Sequence, residues 1–319
     1  MSLHPDLAAF LELVELGRAS GKILPMHELG VEQARREFEL SAQLLDPDPP
    51  CDLSVTPLAI QTRDGAVLQA RLYRPAQAAN AHCPVILYLH GGGYVVGSLD
   101  SHDTVCRRLA LASGHAVLAP AYRLAPEHRF PTALQDVQDT TDWLVRHAHA
   151  HGLDSARTVF AGDSAGATLA TLLAITAATE PSSGVLQPCA QLLFYPVADA
   201  STRYASYQTF AEGYLLESAT MDWFYQHYLP DETKKHDWRV SPMLAPVVGA
   251  LAPAYVSVAQ YDPLHDEGIA YAEYLRRTGT RVELIVERGL THDFLRMSGV
   301  IERIDTVYGA VAQWLRGIA

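Results

Sequence analysis

One serine in this sequence lies in a setting that suits a nucleophile. The stretch AGDSAGATLATLLA (161–174) contains the pentapeptide GDSAG (162–166), with an apolar run before it and an Ala/Leu-rich helical pattern after it. A serine on such a tight strand-to-helix turn projects its hydroxyl clear of the backbone, and the flanking glycines let the turn close. The pentapeptide alone also occurs by chance, but in this context it predicts that Ser164 is a nucleophile.

Three consecutive glycines form a second chemical pattern, in LYLHGGGYVVGS (87–98), directly after a predicted strand. Such a run lets the backbone approach a ligand and present adjacent N–H groups, as an oxyanion hole requires. A phosphate-binding loop is disfavoured because no Gly-Lys-Ser/Thr follows the glycines. A flexible turn without a chemical role is the remaining alternative.

A nucleophilic serine needs a general base, and the base needs an acid that orients it. His292 follows the last predicted strand, and Asp262 ends the strand before it. Both therefore lie at the same edge of a parallel sheet as Ser164. Asp266 and Glu267 are alternative acids, but their position after Pro-Leu-His is typical of the first turn of a helix.

The elements that must position these residues alternate between short apolar runs and helical patterns. The segment 53–75 predicts two paired strands around an Asp-Gly turn. Further predicted strands are 84–90, 116–122, 157–162, 190–196, 254–262 and 282–289, and the predicted helices are 101–113, 131–150, 165–179, 266–278 and 299–316. Strand–helix alternation of this kind predicts an α/β fold with a mostly parallel central sheet flanked by helices.

Two regions lie outside this alternation and predict a helical cap. Amphipathic helices are expected at 7–17 and 31–45, and they must cover another surface because they cannot stand alone. Residues 200–250 carry aromatic-rich, helix-like sequence after a strand. We predict cap helices over 1–50 and a catalytic domain over 51–319, with 200–250 contributing to the cap. A surface insertion is the alternative for that last segment.

Composition limits the partners and the location. The chain has 319 residues and a net charge of −12, and an acidic surface argues against a nucleic-acid partner. No apolar run approaches the roughly 20 residues that a membrane helix needs. The N-terminus has no basic region or cleavage site typical of a signal peptide. Four cysteines are far apart and contain no CxxC, so neither a disulfide framework nor a zinc site is expected. These features predict a cytoplasmic protein.

Taken together, the motifs resemble those of the hormone-sensitive-lipase family of α/β-hydrolases, also called the bacterial family IV carboxylesterases. The matching motifs are HGGGYVVGS (90–98), YRLAPEHRFP (122–131), GDSAG (162–166), YPVAD (195–199), SPMLA (241–245), DPLHDEG (262–268) and the segment around His292 and Phe294. The order Ser…Asp…His is also that of α/β-hydrolases.

The resemblance implies the α/β-hydrolase fold and hydrolysis of short- to medium-chain acyl esters through an acyl-enzyme, with no metal or cofactor. It implies Ser164 as nucleophile, His292 as base and then acid, and Asp262 as the residue that orients the base. The N–H donors to the oxyanion would be Gly92, Gly93 and Ala165.

Two positions depart from the family pattern. Asp293 follows the histidine where the family usually has a small or apolar residue, and His265 stands where the family commonly has arginine. A carboxylate beside His292 should raise the pKa of the imidazole if it comes within about 6 Å. The alternative is that Asp293 turns outward and has no effect.

Other functions and sites remain open from the sequence. An amidase, lactonase or lipase could use the same triad, and a non-catalytic small-molecule receptor on this fold is an alternative of a different class. The alternating His147, His149 and His151 could bind a metal, but a solvated helix end explains them better. Glu127 and His128 are interpreted as structural.

Two further expectations concern the surface. The aromatic residues of the 200–250 segment should pack in the cap, with some facing the acyl pocket; they are Tyr204, Tyr207, Phe210, Tyr214, Trp223, Phe224 and Tyr225. The family resemblance also suggests a homodimer through the last strand, predicted at 282–289. The expected partner is otherwise a small-molecule ester.

Overall fold

The computed structural model describes residues 2–76, 82–180, 185–246 and 249–318. The strands are β1 (Leu53–Gln61), β2 (Val67–Pro75), β3 (Cys83–Leu89), β4 (Ala116–Pro120), β5 (Leu153–Asp163), β6 (Ala190–Phe194), β7 (Ala254–Tyr261) and β8 (Val282–Thr291). The helices are α1 (Pro5–Ala19), α2 (Val31–Leu45), α3 (Asp103–Ser113), α4 (Thr132–His147), α5 (Ala165–Thr179), α6 (Ser206–Thr209), α7 (Ser218–Tyr228), α8 (His265–Arg277) and α9 (Ile304–Arg316). Every predicted strand and helix is present, with α9 beginning five residues later than predicted.

These strands form one sheet in the order β1-β2-β4-β3-β5-β6-β7-β8. β1 and β2 pair antiparallel around the predicted turn, and β2 also pairs antiparallel with β4. The pairs from β4 through β3 to β8 are all parallel. Because β5, β7 and β8 run in the same direction, the loops at their carboxyl ends meet at one edge of the sheet.

Helices cover both faces of the sheet, as the apolar parallel strands require. Alternate side chains of β3 show the division: Val85 and Leu87 belong to one buried core, and Ile86 and Tyr88 to the other. The first core contains residues of α4, α5 and α8, and the second contains residues of α3 and α9. α5 is buried around nearly its whole circumference, which fixes the residue at its start.

The N-terminal helices are packed into the same cores. Leu7 and Leu11 of α1 lie in the core with α3 and α9, whereas Ala34 and Phe38 of α2 lie in the other core. An ion pair between Arg18 and Glu217, together with a contact of 3.2 Å between His27 Nδ1 and Thr220 Oγ1, joins the N-terminal segment to the start of α7. No helix among the described residues is both long and apolar enough to cross a membrane.

Candidate active site

Ser164 occupies the turn between β5 and α5. Its φ is +53°, in a region that non-glycine residues rarely adopt, and its backbone N–H donates to the carbonyl oxygen of Phe194 at 2.9 Å. Gly166, in the first turn of α5, lies so close to β3 that a Cβ there would collide with the carbonyl oxygen of Leu89. The GDSAG segment therefore builds the tight strand-to-helix turn that its glycines predict, with Ser164 as the residue before the first turn of α5.

His292 and Asp262 follow β8 and β7, two adjacent parallel strands. The Nδ1–H of His292 donates to Oδ2 of Asp262 at 2.7 Å, and both side chains are buried. The backbone N–H of Leu264 donates to the other carboxylate oxygen of Asp262 at 2.8 Å. This hydrogen bond fixes the orientation of the Asp262 carboxylate. Because Nδ1 of His292 donates to that carboxylate, Nε2 is the nitrogen available to a serine hydroxyl.

The electrostatic environment of His292 favours its protonated form. Burial alone lowers the pKa of the imidazole, but the charge and hydrogen bond of Asp262 outweigh burial, with further contributions from Asp293 and Asp163. The pKa of His292 is therefore raised above its ordinary value. The Asp262 carboxylate thus stabilises the imidazolium that forms when His292 accepts a proton.

The alternative acids make other contacts, at the start of α8 as predicted. Asp266 accepts a hydrogen bond from the backbone N–H of Ser206 at 2.9 Å. Glu267 is fully buried and accepts from the backbone N–H groups of Ala198 and Asp199. Burial raises the pKa of Glu267 to about 8. Asp262 is the carboxylate that contacts the histidine.

The glycine loop lies beside Ser164. Gly92 has φ +112° and Gly93 has φ +58°, and a Cβ on Gly93 would collide with the ring of Phe224 in α7. Among the described residues, none accepts a hydrogen bond from the N–H groups of Gly92 or Gly93. Ala165 is the first residue of α5, so its N–H also has no partner within the helix. These three N–H groups are the ones that the family resemblance implies for an oxyanion hole.

Asp163 is a functional candidate that the sequence analysis missed. Its buried carboxylate accepts from the backbone N–H of Gly91 at 3.0 Å and from the hydroxyl of Tyr88 at 2.6 Å. Burial alone would raise the pKa of Asp163, but His102, 3.4 Å away, and the Tyr88 hydroxyl lower it overall. Asp163 thus braces the glycine loop. Its position inside GDSAG was the available clue.

A cavity of about 260 Å³ brings the predicted residues together. Ser164, His292, Gly92 and Gly93 all line it. The N-terminal helices, their connecting segment and the 200–246 segment supply mainly apolar side chains, among them Phe10, Val14, Met26, Phe38, Leu216 and Phe224. The cavity therefore has a polar end at Ser164 and a mostly apolar wall from the segments predicted to form the cap.

The two departures from the family pattern have different surroundings. Asp293 has φ +63°, lines the cavity and forms an ion pair with Arg296 at 3.3 Å. Asp293 therefore faces the cavity and does not turn outward. Its charge helps to raise the pKa of His292. Nδ1 of His265 lies 2.7 Å from the carbonyl oxygen of Ala259, so this side chain is engaged with the end of β7.

The remaining candidates lie elsewhere. His147 ends α4, and His149 and His151 form the following short turn. Within the part of the chain that the structure describes, no group of three His, Cys, Asp or Glu residues could hold a metal ion. Glu127 pairs with Arg35 of α2 at 2.7 Å, which agrees with the predicted structural role.

The aromatic residues of the 200–246 segment are divided between packing and the cavity. Tyr207, Trp223, Phe224 and Tyr225 are buried in the core, and of the seven aromatic residues singled out from the sequence only Phe224 lines the cavity. The prediction of a mainly packing role with partial access to the pocket thus agrees with the structure.

Known proteins share both the sequence and the architecture. A family described as having the α/β-hydrolase fold matches residues 86–296. The chain is 50% identical to an ethyl acetate hydrolase of Pseudomonas putida, over 96% of each chain. It is 38% identical to the carboxylic ester hydrolase LipN of Mycobacterium tuberculosis, over 79% of this chain and 67% of that protein.

Solved structures of ester hydrolases are also similar to this chain in fold. An ester hydrolase from the metagenome of Lake Arreo is 33% identical and superposes with a TM-score of 0.93, covering 99% of this chain and 98% of that one. An esterase of Pyrobaculum calidifontis is 32% identical with a TM-score of 0.89, covering 99% of each chain. The chain belongs to the α/β-hydrolase family, as its hormone-sensitive-lipase motifs predict.

Proposed function

We propose that this carboxylic ester hydrolase uses Ser164 as its nucleophile, His292 as its general base and acid, and Asp262 as the residue that orients the base. The observation that carries the proposal is the 2.7 Å hydrogen bond between His292 and Asp262, placed so that His292 and Ser164 line one cavity. Ester hydrolysis itself agrees with the relatives named above.

The reaction proceeds in two displacement steps. The Ser164 hydroxyl oxygen attacks the ester carbonyl carbon while His292 takes the hydroxyl proton. The carbonyl oxygen becomes an oxyanion that accepts hydrogen bonds from the N–H groups of Gly92, Gly93 and Ala165. The C–O bond to the alcohol breaks as His292 gives its proton to the leaving oxygen. Water then attacks the acyl-enzyme by the same route and releases the acid.

Short- to medium-chain acyl esters are the substrates that we propose. A cavity of about 260 Å³ with a mostly apolar wall has room for a small acyl group beside Ser164. The similarity to an ethyl acetate hydrolase supports the short end of that range. An amidase or lactonase activity on the same residues is a second candidate, which substrate assays would separate.

The experiment is a chain-length series of p-nitrophenyl esters, from acetate to dodecanoate, with wild-type protein and Ser164→Ala. We expect kcat/KM to be highest at two to six carbons, and kcat to fall by roughly 10⁴-fold or more in Ser164→Ala. Ser155→Ala, at the opposite end of the same strand, is the matched control and should retain full activity. Full activity in Ser164→Ala would remove the proposed nucleophile.

The finer organisation is also proposed here. Residues 1–50 and 200–250 form the cap and 51–319 the catalytic domain, which the shared cavity supports. β8 lies at one edge of the sheet and is the proposed surface for a homodimer. A cytoplasmic location is proposed from the composition.

A further inference from the structure

Arg296 lies three residues after His292, and its side chain is only 3% exposed. Nη2 donates to the carbonyl oxygen of Phe38 at 2.9 Å and to the hydroxyl of Ser41 at 3.0 Å, both in α2. The guanidinium also lies 3.9 Å from the centre of the Phe38 ring. Nε donates to the carbonyl oxygen of Ser101 at 3.3 Å, in the segment that follows the glycine loop. One buried cation therefore contacts the N-terminal helix α2 and the Ser101 segment of the catalytic domain.

The counter-charge of Arg296 comes from Asp293, in the loop that carries His292. Nη1 lies 3.3 Å from Oδ2 of Asp293, the carboxylate of the ion pair. A buried cation without a counter-charge is costly, so this pair lets Arg296 remain under α2. Asp293 has φ +63° at the residue directly after His292.

Both members of this pair lie at the substrate cavity. Asp293, Arg296, Phe38 and Ser41 line it together with His292. The position of α2 relative to the base thus depends on contacts that begin in the loop carrying the base. A side chain that only filled space would not need three hydrogen bonds to two segments and a paired carboxylate.

We propose that Arg296 is a positioning residue for substrate binding, which fastens α2 over the acyl pocket and joins it to the loop of His292, with Asp293 as its counter-ion. The proposal rests on the ester hydrolysis argued above. It assigns Arg296 no contact with the reacting atoms. Loss of the guanidinium should loosen α2 and impair binding of acyl groups that touch Phe38, while the chemical step at Ser164 continues.

The test compares Arg296→Met, Arg296→Lys and Ser41→Ala with wild-type protein by two measurements. The first is kcat and KM for p-nitrophenyl acetate and hexanoate. The second is the rate of limited proteolysis within residues 5–45. In Arg296→Met we expect KM for hexanoate to rise about tenfold, kcat to change less than threefold, and cleavage to accelerate about tenfold. Arg296→Lys should recover part of both effects, and Ser41→Ala should show a smaller effect in the same direction.

Arg36→Met is the matched control, because Arg36 lies on the exposed face of α2 and pairs only with Glu32 across one helical turn among the described residues. It should leave both measurements unchanged. If Arg296→Met fails to fold, Ser41→Ala tests the proposal by the same two measurements. Unchanged KM and unchanged cleavage would overturn the proposal, as would a fall in kcat with α2 equally protected. Proteolysis reports on α2 even if the esters are not turned over, so failure of the proposed activity would be seen separately.

Discussion

At the scale of single residues, the site depends on backbone conformations that most side chains avoid. Ser164 and Asp293 both have φ near +60°, at a cost of about 1–3 kcal/mol each. The surrounding contacts must hold them there: the N–H of Ser164 bonds to the neighbouring strand, and Asp293 is paired with Arg296. The same two residues set the direction of the proposed nucleophile and of a charge beside the proposed base.

The charge beside the base gives a prediction for pH dependence. In the proposed mechanism His292 accepts a proton only when its imidazole is neutral, so the acid limb of kcat/KM follows the pKa of His292 in the free enzyme. Asp293 contributes to raising that pKa, and Asp293→Asn should therefore move the limb to lower pH. We expect a shift of at most about half a pH unit, because Arg296 offsets part of the carboxylate's field. Asparagine tolerates positive φ, so the turn should survive.

The measurement is a pH profile of kcat/KM at low ionic strength. Asp142→Asn, an exposed carboxylate on α4, removes the same charge at a distance and should leave the acid limb in place. An acid limb that stays put in Asp293→Asn would show that this carboxylate has no part in tuning the base.

Residue patterns predicted Ser164, His292 and Asp262 as nucleophile, base and acid because each follows a strand whose end could be located in the sequence. Asp163 and Arg296 could not be assigned in the same way. Their roles come from partners far away in sequence, such as Tyr88 for Asp163 and Phe38 for Arg296. Sequence spacing within one element carries no information on such contacts, which arise only when the sheet and the cap assemble.

At the scale of elements, strand and helix positions followed from the alternation of apolar runs, since parallel strands buried on both faces leave a strong pattern. The segment 200–246 was less predictable. It contains the short helix α6, α7 and two short 3-10 turns joined by irregular chain. In α7 the consecutive residues Trp223, Phe224 and Tyr225 are all buried, so the apolar residues do not follow a helical period that would mark the boundaries of the segment.

The contact between the glycine loop and α7 gives an element-scale prediction. In Gly93→Ala the new methyl group would meet the Phe224 ring, so the loop or α7 must move. We expect kcat to fall about 10²-fold or more through displaced oxyanion donors. Gly114→Ala is the matched control: its φ is also positive, at +72°, but nothing lies within 4 Å of the added Cβ. Comparable activity in both variants, by steady-state kinetics, would contradict this assignment of the loop.

Removal of the N-terminal helices gives a second element-scale prediction. Deleting residues 1–45 should remove much of the apolar cavity wall and uncover core residues that α1 and α2 cover. We expect lost activity and poorer solubility with the α/β core partly retained, as measured by turnover, yield and circular dichroism. An unchanged preference for acyl length in the truncated protein would show that these helices do not shape the pocket.

At the scale of the whole molecule, the sheet ends in two edges, β1 and β8. Among the described residues β8 pairs with β7 alone, and near its carboxyl end the N–H of His4 donates to the carbonyl oxygen of Gly289 at 3.0 Å. The rest of this outer strand can pair with a second copy. We predict a homodimer through β8, detected by light scattering at micromolar concentration. Leu284→Pro, within β8, should weaken it because the register with β7 directs the N–H of residue 284 toward the outer edge, so proline there removes a donor from the dimer surface and none from the β7–β8 pair. A monomer mass for the wild-type protein would exclude the dimer.

The proposed mechanism depends on one activated serine in the cavity of this ester hydrolase. The most direct measurement is intact-mass spectrometry after incubation with a p-nitrophenyl phosphonate ester, followed by peptide mapping. We predict one phosphonyl group per chain, bonded to Ser164, with activity lost in proportion to labelling, and no adduct in Ser164→Ala. Labelling at another residue, or full labelling of Ser164 with activity retained, would contradict the assignment of Ser164 as the nucleophile.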